Sequence, residues 1–125
     1  MGSTKTIRLV SLRGDVEEIV KLAKDLFSNI HGGLYCKYAE IKHDLGNIST
    51  DRDKLEYYPL RIHAENDIVI LVSEVRCGYH GRSCDAMIEI LELAGFHPNT
   101  KVKEKIYNSP KLSMTIWNER LMQQY

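Results

Sequence analysis

The sequence lacks net charge, because its 17 Lys and Arg residues balance its 17 Asp and Glu residues. A chain with this balance has no overall basic character of the kind that nucleic-acid-binding domains show, so nucleic acid is not an expected partner. The segment from Phe96 to Tyr125 is mildly basic, a pattern typical of a solvated surface.

Long apolar runs are also missing. No stretch approaches the roughly 18 apolar residues of a transmembrane helix, and the opening MGSTKTIRLV lacks the apolar core of a signal peptide. The three cysteines, Cys36, Cys77 and Cys84, do not form the even set of a secreted disulfide framework. These absences favour a cytoplasmic protein with reduced thiols and no membrane partner. A chain of 125 residues with this ordinary composition predicts a single domain over 1–125.

The first half of the chain predicts one helix between strands. Thr6 to Gly14 is typical of a short strand, and the apolar spacing after it predicts a helix with Asp15 as N-cap, Glu18 in a capping-box position and Gly32-Gly33 at its end. Alternation predicts strands over 34–44 and 55–64, joined by a polar loop over 45–54. A turn over 65–67 then predicts a hairpin into the apolar strand 68–75, which we expect at the centre of the sheet.

The second half predicts a helix that Ser83 caps and Gly95 ends. The alternating stretch 101–107 is typical of an exposed edge strand. Ser109-Pro110 favours a final helix, although LSMTIW also alternates as a strand does. The resulting order, β-α-β-β-β-α-β-α, predicts an α+β fold in which helices cover one face of a mixed, mostly antiparallel sheet, related to the split βαβ unit.

The stretch RCGYHGRSCDA, residues 76–86, is the leading candidate site. It joins the apolar strand to a helix N-terminus, where unpaired N–H groups and the helix dipole attract anions. Glycines allow close approach of a ligand to the backbone, arginines pair with phosphate, and aromatic rings stack on bases. The expected ligand-binding residues are Arg76, Gly78, Tyr79, His80, Gly81, Arg82 and Ser83.

Other interpretations of this stretch remain open. In the simplest interpretation, the glycines and Ser83 of this stretch only form a strand-to-helix turn. The stretch matches neither the GxxxxGK[ST] nor the GxGxxG phosphate-binding pattern. Cys77, His80 and Cys84 have zinc-competent side chains with Cys36 as a fourth, but their spacing is not that of a usual zinc site, so neither metal nor cofactor is expected. A Cys77 thiolate with a lowered pKa, or His80 as general base, would indicate catalysis.

Aromatic side chains offer a second feature. Tyr35, Tyr38, Tyr57 and Tyr58 fall on two predicted strands, where they would stack on bases or, in the interpretation we favour, line a protein interface. His43 and His63 lie on the same two strands and would meet if they shared a face. The apolar central strand and the two-sided second helix add to the apolar surface, which favours a homo-oligomer.

The sequence therefore favours a small binding protein, without catalysis, for an anionic and phosphate-bearing small molecule such as a nucleotide. One alternative is a small hydrolase or nucleotide-processing enzyme that uses His80 and Arg82. Another is a protein–protein interaction module, an inhibitor, adaptor or assembly subunit, that uses the 46–54 loop and the tyrosine face.

Overall fold

The structure, a computed structural model, describes residues 4–28 and 35–118 of the chain. These residues form five strands and three helices. The strands are β1 (Lys5–Leu9), β2 (Cys36–Asp44), β3 (Leu60–Ala64), β4 (Ile68–Val72) and β5 (Lys111–Trp117). The helices are α1 (Val16–Ser28), α2 (Arg82–Leu93) and α3 (Thr100–Asn108), and a short 3-10 turn, Leu55–Tyr57, precedes β3.

The five strands form one mixed sheet in the order β1-β4-β3-β2-β5. Only β1 and β4 pair in parallel, and the other three neighbouring pairs are antiparallel. Strand β4 lies between β1 and β3, as expected for the most apolar run. The predicted α+β class, with a mixed and mostly antiparallel sheet, is confirmed.

The hairpin between β3 and β4 follows the turn chemistry of its sequence. Asn66 and Asp67 both have positive φ angles, 61° and 57°. Ile68 N donates to the Glu65 carbonyl at 3.4 Å, so these two left-handed residues form the centre of the turn that joins the strands. Pairing of β3 with its neighbours begins at Leu60, directly after Pro59, which has no N–H to donate.

The two faces of the sheet have different surroundings. One face contributes residues such as Ile41, Ile62 and Ile70 to a buried cluster that also holds Ile19 of α1 and Met87 of α2. This cluster places the helices against that face, which we call the covered face. The alternate residues of the same strands point the other way and form the open face.

Helix α1 begins close to its predicted position. The Asp15 carboxylate accepts a hydrogen bond from Glu17 N at 2.9 Å, so Asp15 does act at the helix N-terminus. Glu18 instead pairs with Arg13 at 3.3 Å, so the capping-box geometry does not form. The predicted stop at Gly32 and Gly33 lies outside the described residues.

The last two elements are the reverse of those expected. Residues 101–107 belong to helix α3, because Asn99 caps it by accepting from Val102 N at 2.9 Å and Ile106 packs into the core. Val102 and Ile106, four residues apart, share one helix face, although their spacing also fits the alternation of a strand. The predicted edge strand is therefore wrong.

The segment after Pro110 forms strand β5 rather than the favoured helix. It pairs with β2 over seven residues, from Lys111 opposite Asp44 to Trp117 opposite Tyr38. The alternation of LSMTIW is thus that of an edge strand whose Leu112 side contacts the core. Leu121, also part of the expected helix, lies outside the described residues.

Candidate functional site

The stretch 76–83 leads from β4 to the first turn of α2, as predicted. Gly78 has a φ of 101°, and its N–H donates to the Ile106 carbonyl at 2.8 Å. A Cβ at this position would lie 2.5 Å from the Cα of Pro110. The glycine is therefore required by the close approach of the turn that leads into β5, and that side of its backbone faces protein.

Arg82 lies between two carboxylates. Its guanidinium donates to Glu89 of α2 at 2.7 Å and makes a bidentate contact with Glu17 of α1, of which one bond is 2.8 Å. These bonds raise the pKa of Arg82 above its usual value, and the Arg82 bond lowers that of Glu17. In this arrangement Arg82 links α1 to α2, and each of its three guanidinium nitrogens already donates a hydrogen bond.

Tyr79 and His80 contact neighbouring protein. The Tyr79 ring lies against Gly81, where an added Cβ would be 2.6 Å from it. The His80 ring stacks on Tyr107, with centroids 4.5 Å apart and planes 4° from parallel. Tyr107 in turn donates to Asp85, which raises the pKa of Tyr107 to about 12.

Ser83 and Arg76 are linked through the backbone. The Ser83 carbonyl accepts from Arg76 N at 3.2 Å, which closes the turn before α2. Gly81, rather than Ser83, occupies the N-cap position, because α2 begins at Arg82.

The cysteines have the opposite chemistry to a reactive thiolate. Cys77 and Cys84 are fully buried, and burial raises the pKa of both thiols, that of Cys77 to about 12. The alternative in which Cys77 is a thiolate with a lowered pKa therefore has no support here, because desolvation outweighs the nearby Arg76. Among residues 4–28 and 35–118, no three His, Cys, Asp or Glu side chains are grouped as metal ligands.

His43 is buried behind the stretch 76–83. Its Nδ1 is 2.9 Å from the Pro110 carbonyl, and its Nε2 is 3.4 Å from Cys77 N. These partners fit a neutral ring that donates from Nδ1 and accepts at Nε2. Burial lowers the pKa of His43, which agrees with that form. The His43 side chain thus links β2 to Cys77, in the chain before α2, and to Pro110, directly before β5.

The Arg76 side chain lines a cleft that is separate from the other predicted site residues. This cleft, of about 500 Å³, lies between the 48–52 loop and the chain leaving β4. Its lining includes Ser49, Thr50, Arg52, Tyr57, Glu74 and Arg76. We call it the arginine cleft. None of the residues from Gly78 to Ser83 lines it.

The two arginines of this cleft retain donors, and its two carboxylates, Asp51 and Glu74, each accept one hydrogen bond. Arg76 donates one bond, to the Val75 carbonyl at 2.8 Å, and within the described part of the chain neither Arg52 nor Arg76 forms an ion pair. Asp51 accepts from Asp53 N at 3.0 Å, and Glu74 accepts from the Tyr57 hydroxyl at 3.4 Å. The lining therefore combines two guanidinium groups, which form no ion pair within the described residues, with two carboxylates that are not paired to them.

The backbone at the edge of this cleft is held in an unusual conformation. Glu74 has a φ of 64°, which places a non-glycine residue in the left-handed region where the chain leaves β4. Ser73, directly before it, fixes the turn by donating from both N and Oγ to the Leu9 carbonyl, at 3.1 and 2.7 Å. Such a conformation at a cleft is a frequent property of binding sites.

The open face carries a row of rings that the sequence indicated only in part. Tyr38 stacks on His63, with centroids 4.3 Å apart, and on its other side contacts Trp117 at 4.8 Å. His63 is also bonded to Glu40, at 2.6 Å. His43 is on the covered face, so the two histidines do not meet.

The tyrosines expected to share one surface are divided. Tyr57 and Tyr58 contact each other edge to face, with centroids 5.1 Å apart, in the segment before β3. The Tyr58 hydroxyl donates to the Arg52 carbonyl at 2.8 Å and so holds the loop of the arginine cleft.

Arg52 was missed by the sequence reasoning because it sits in a polar loop with no motif. The available signal was the length of that loop, 45–54, since loops of this size often carry function.

Within the described residues, no helix has the length and apolar character needed to cross a membrane. Comparison with protein-family models, with curated proteins and with solved structures finds no match to this chain.

Proposed function

We propose that the protein binds a phosphate-bearing small molecule in the arginine cleft, with Arg52 and Arg76 as the charged ligands. The observation that carries this proposal is the convergence of two arginines, 24 positions apart in the chain, on one cleft with no carboxylate paired to either among the described residues. Guanidinium groups match phosphate oxygens in geometry as well as charge.

The position of the cleft supports the same ligand class. It lies beyond the carboxyl end of β4, which pairs in parallel with β1, and ligands of parallel sheets commonly bind at that end. Ser49, Thr50 and Tyr57 add hydroxyl groups to the lining. A volume of about 500 Å³ falls in the range of small-molecule sites.

The predicted phosphate loop contributes one of its seven residues, Arg76, to this proposal. Arg82 forms ion pairs with Glu17 and Glu89, and Gly78 packs on Pro110. A ligand at Arg82 would have to displace two ion pairs, whereas a ligand in the cleft displaces none among the described residues. This difference favours the cleft over the remainder of the 76–83 stretch.

The test uses inorganic pyrophosphate as the probe and isothermal titration calorimetry as the measurement. We expect binding to the unaltered protein and a loss of about tenfold to a hundredfold in affinity for Arg76→Gln or Arg52→Gln, since each removes a charge-assisted contact. The double variant should show no measurable binding while its thermal unfolding stays close to that of the parent.

The matched control is Arg82→Gln, which removes an arginine of the predicted loop outside the cleft. It should bind pyrophosphate as the parent does. If Arg82→Gln abolishes binding while both cleft variants retain it, the ligand site is the 76–83 loop and the cleft proposal is wrong. If the unaltered protein does not bind pyrophosphate, the proposal also fails.

A further inference from the structure

A single cross-strand row of the open face contains three rings and then stops. In register across the sheet, the row runs Trp117, Tyr38, His63, Val69 and Thr6. The three rings follow one another at 4.8 and 4.3 Å between centroids. The two remaining positions, Val69 on β4 and Thr6 on β1, carry no ring, so the stack of rings ends at His63, beside Val69.

A β-bulge creates this row. Cys36 pairs with Ala64, but Tyr38 pairs with the next residue back, His63, so Lys37 is an extra residue in β2. The extra residue changes the alternation, and Cys36 points to the covered face while Tyr38 points to the open face. Bulges of this kind often re-aim a side chain beside a functional site.

The His63 ring, 24% exposed in its side chain, borders a cleft. Tyr38 covers one face of the ring, since the two planes are 12° from parallel. The cleft, of about 300 Å³, is lined by His63 and Val69, by Lys37 and Asp67 and, on the other side of the imidazole, by Tyr38. The bond from His63 to Glu40 holds the imidazole in this orientation.

The chemistry of this cleft fits a planar heteroaromatic ring with polar edges. His63 provides a stacking face, and Val69 provides an apolar floor. Asp67 can accept from ring N–H or exocyclic amino groups, and Lys37 places a cation at the rim, where a sugar phosphate would emerge. Base stacking on an aromatic ring tolerates any base, because each has a π face.

We infer that the cleft above Val69 binds a nucleobase stacked on His63, either from a free nucleotide or from a single-stranded nucleic acid. This site is separate from the arginine cleft. It lies beside the β3–β4 hairpin, whereas the arginine cleft lies at the opposite ends of the same strands, about 15 Å away at the usual rise per strand residue.

Adenosine is the probe, because it carries a base and no phosphate and cannot report on the arginine cleft through charge. We expect adenosine to bind, and Val69→Phe to abolish binding by placing a ring of the protein in the cleft. His63→Leu, which removes the stacking face, should weaken binding about tenfold or more. Thermal unfolding verifies that each variant is folded, and titration calorimetry measures affinity.

The matched control is Ser113→Phe, which adds the same ring to the open face of β5 opposite Lys42, away from both the cleft and Glu40. It should leave the adenosine affinity unchanged. A single-stranded RNA oligonucleotide distinguishes the two sources of the base. RNA binding that is tighter than adenosine binding and is lost in Val69→Phe assigns the site to a single strand, and equal affinities assign it to a free nucleotide.

Absence of both adenosine and RNA binding overturns the inference. Adenosine binding that Val69→Phe leaves intact overturns it too, since the base would then lie elsewhere. A dimer that Trp117→Ala converts to a monomer, in a protein that does not bind adenosine, would show that a second copy covers this face instead. Pyrophosphate contains no base, so this inference and the proposed function fail independently.

Discussion

The covered and open faces of the sheet use the same residue type for different purposes. His43 on the covered face is buried, which lowers its pKa, and it bonds to the Pro110 carbonyl and to Cys77 N. His63 on the open face bonds to Glu40 and stacks on Tyr38. His43 therefore links segments of the chain to one another, whereas the His63 ring lies at the edge of an open cleft.

The comparison shows where binding chemistry is available in this fold. On the covered face, polar groups are matched to backbone partners, and the thiols of Cys77 and Cys84 are desolvated. On the open side and at the strand ends, guanidinium groups and rings keep free surface. The predicted loop belongs mostly to the first category, because its glycine and its second arginine secure packing between elements.

The largest expected effect separates the two faces within one strand. Ile41 and Lys42 are consecutive residues of β2, one fully buried and one exposed. We expect Ile41→Ala to lower the free energy of unfolding by about 2–5 kcal/mol through the cavity that it leaves. Lys42→Ala should change it by no more than about 0.5 kcal/mol. Urea denaturation measures both, and equal losses would contradict the assignment of the faces.

Gly78→Ala should produce the next largest loss, about 3 kcal/mol, because the methyl group meets Pro110 and the φ of 101° strains any side chain. Gly46→Ala is the matched control, since its Cβ would make only an ordinary contact of 3.6 Å with Asp44. We expect that variant to unfold close to the parent midpoint. A Gly78 variant of parental stability would mean that the turn does not pack as described.

The stability of the protein at acid pH should depend on His43 of the covered face. Burial lowers the folded-state pKa of His43, so below about pH 6.5 the unfolded chain takes up a proton that the folded protein does not. Stability should therefore fall as the pH falls, with a slope of at most about 1.4 kcal/mol per pH unit from this residue. His43→Asn should flatten this acid limb. Urea midpoints across the acid range decide the matter, and parallel curves for the parent and His43→Asn would refute it.

The smallest expected effect concerns the link between α1 and α2. Arg82 is 39% exposed in its side chain, so its ion pairs with Glu17 and Glu89 contribute modestly. Arg82→Gln should lower the melting temperature slightly in low salt, and the difference should shrink near 1 M salt, where the Debye length is about 3 Å. A loss as large as that of Gly78→Ala would instead assign Arg82 a structural role beyond its ion pairs.

Much of the fold was predictable because its signals are local. The apolar stripe of α1, the turn residues Asn66 and Asp67, and the apolar run of β4 each specify their element without help from distant residues. The exchange of α3 and β5 was not predictable from alternation, since Val102 and Ile106 satisfy both periods. Two contacts determine the observed order. Asn99 caps α3, and residues 111–117 pair with the edge of β2 as strand β5.

The candidate sites were less predictable, because each depends on contacts between distant segments. Arg76 was identified, but its partner Arg52 lies across the loop that Tyr58 holds in place. The row of Trp117, Tyr38 and His63 depends on the bulge at Lys37, and no glycine or other turn residue in the local sequence predicts that bulge. Neither the ion pairs of Arg82 nor the packing of Gly78 on Pro110 has a signature in the local sequence. The predicted homo-oligomer stays a prediction.

The most direct test of the arginine cleft is a set of two-dimensional amide NMR spectra recorded during titration with pyrophosphate. We expect the largest shifts at residues 48–52 and 74–76, with little change from Gly78 to Ser83. Shifts centred on 78–83, or no shifts in any part of the spectrum, would contradict the assignment of the ligand to the arginine cleft.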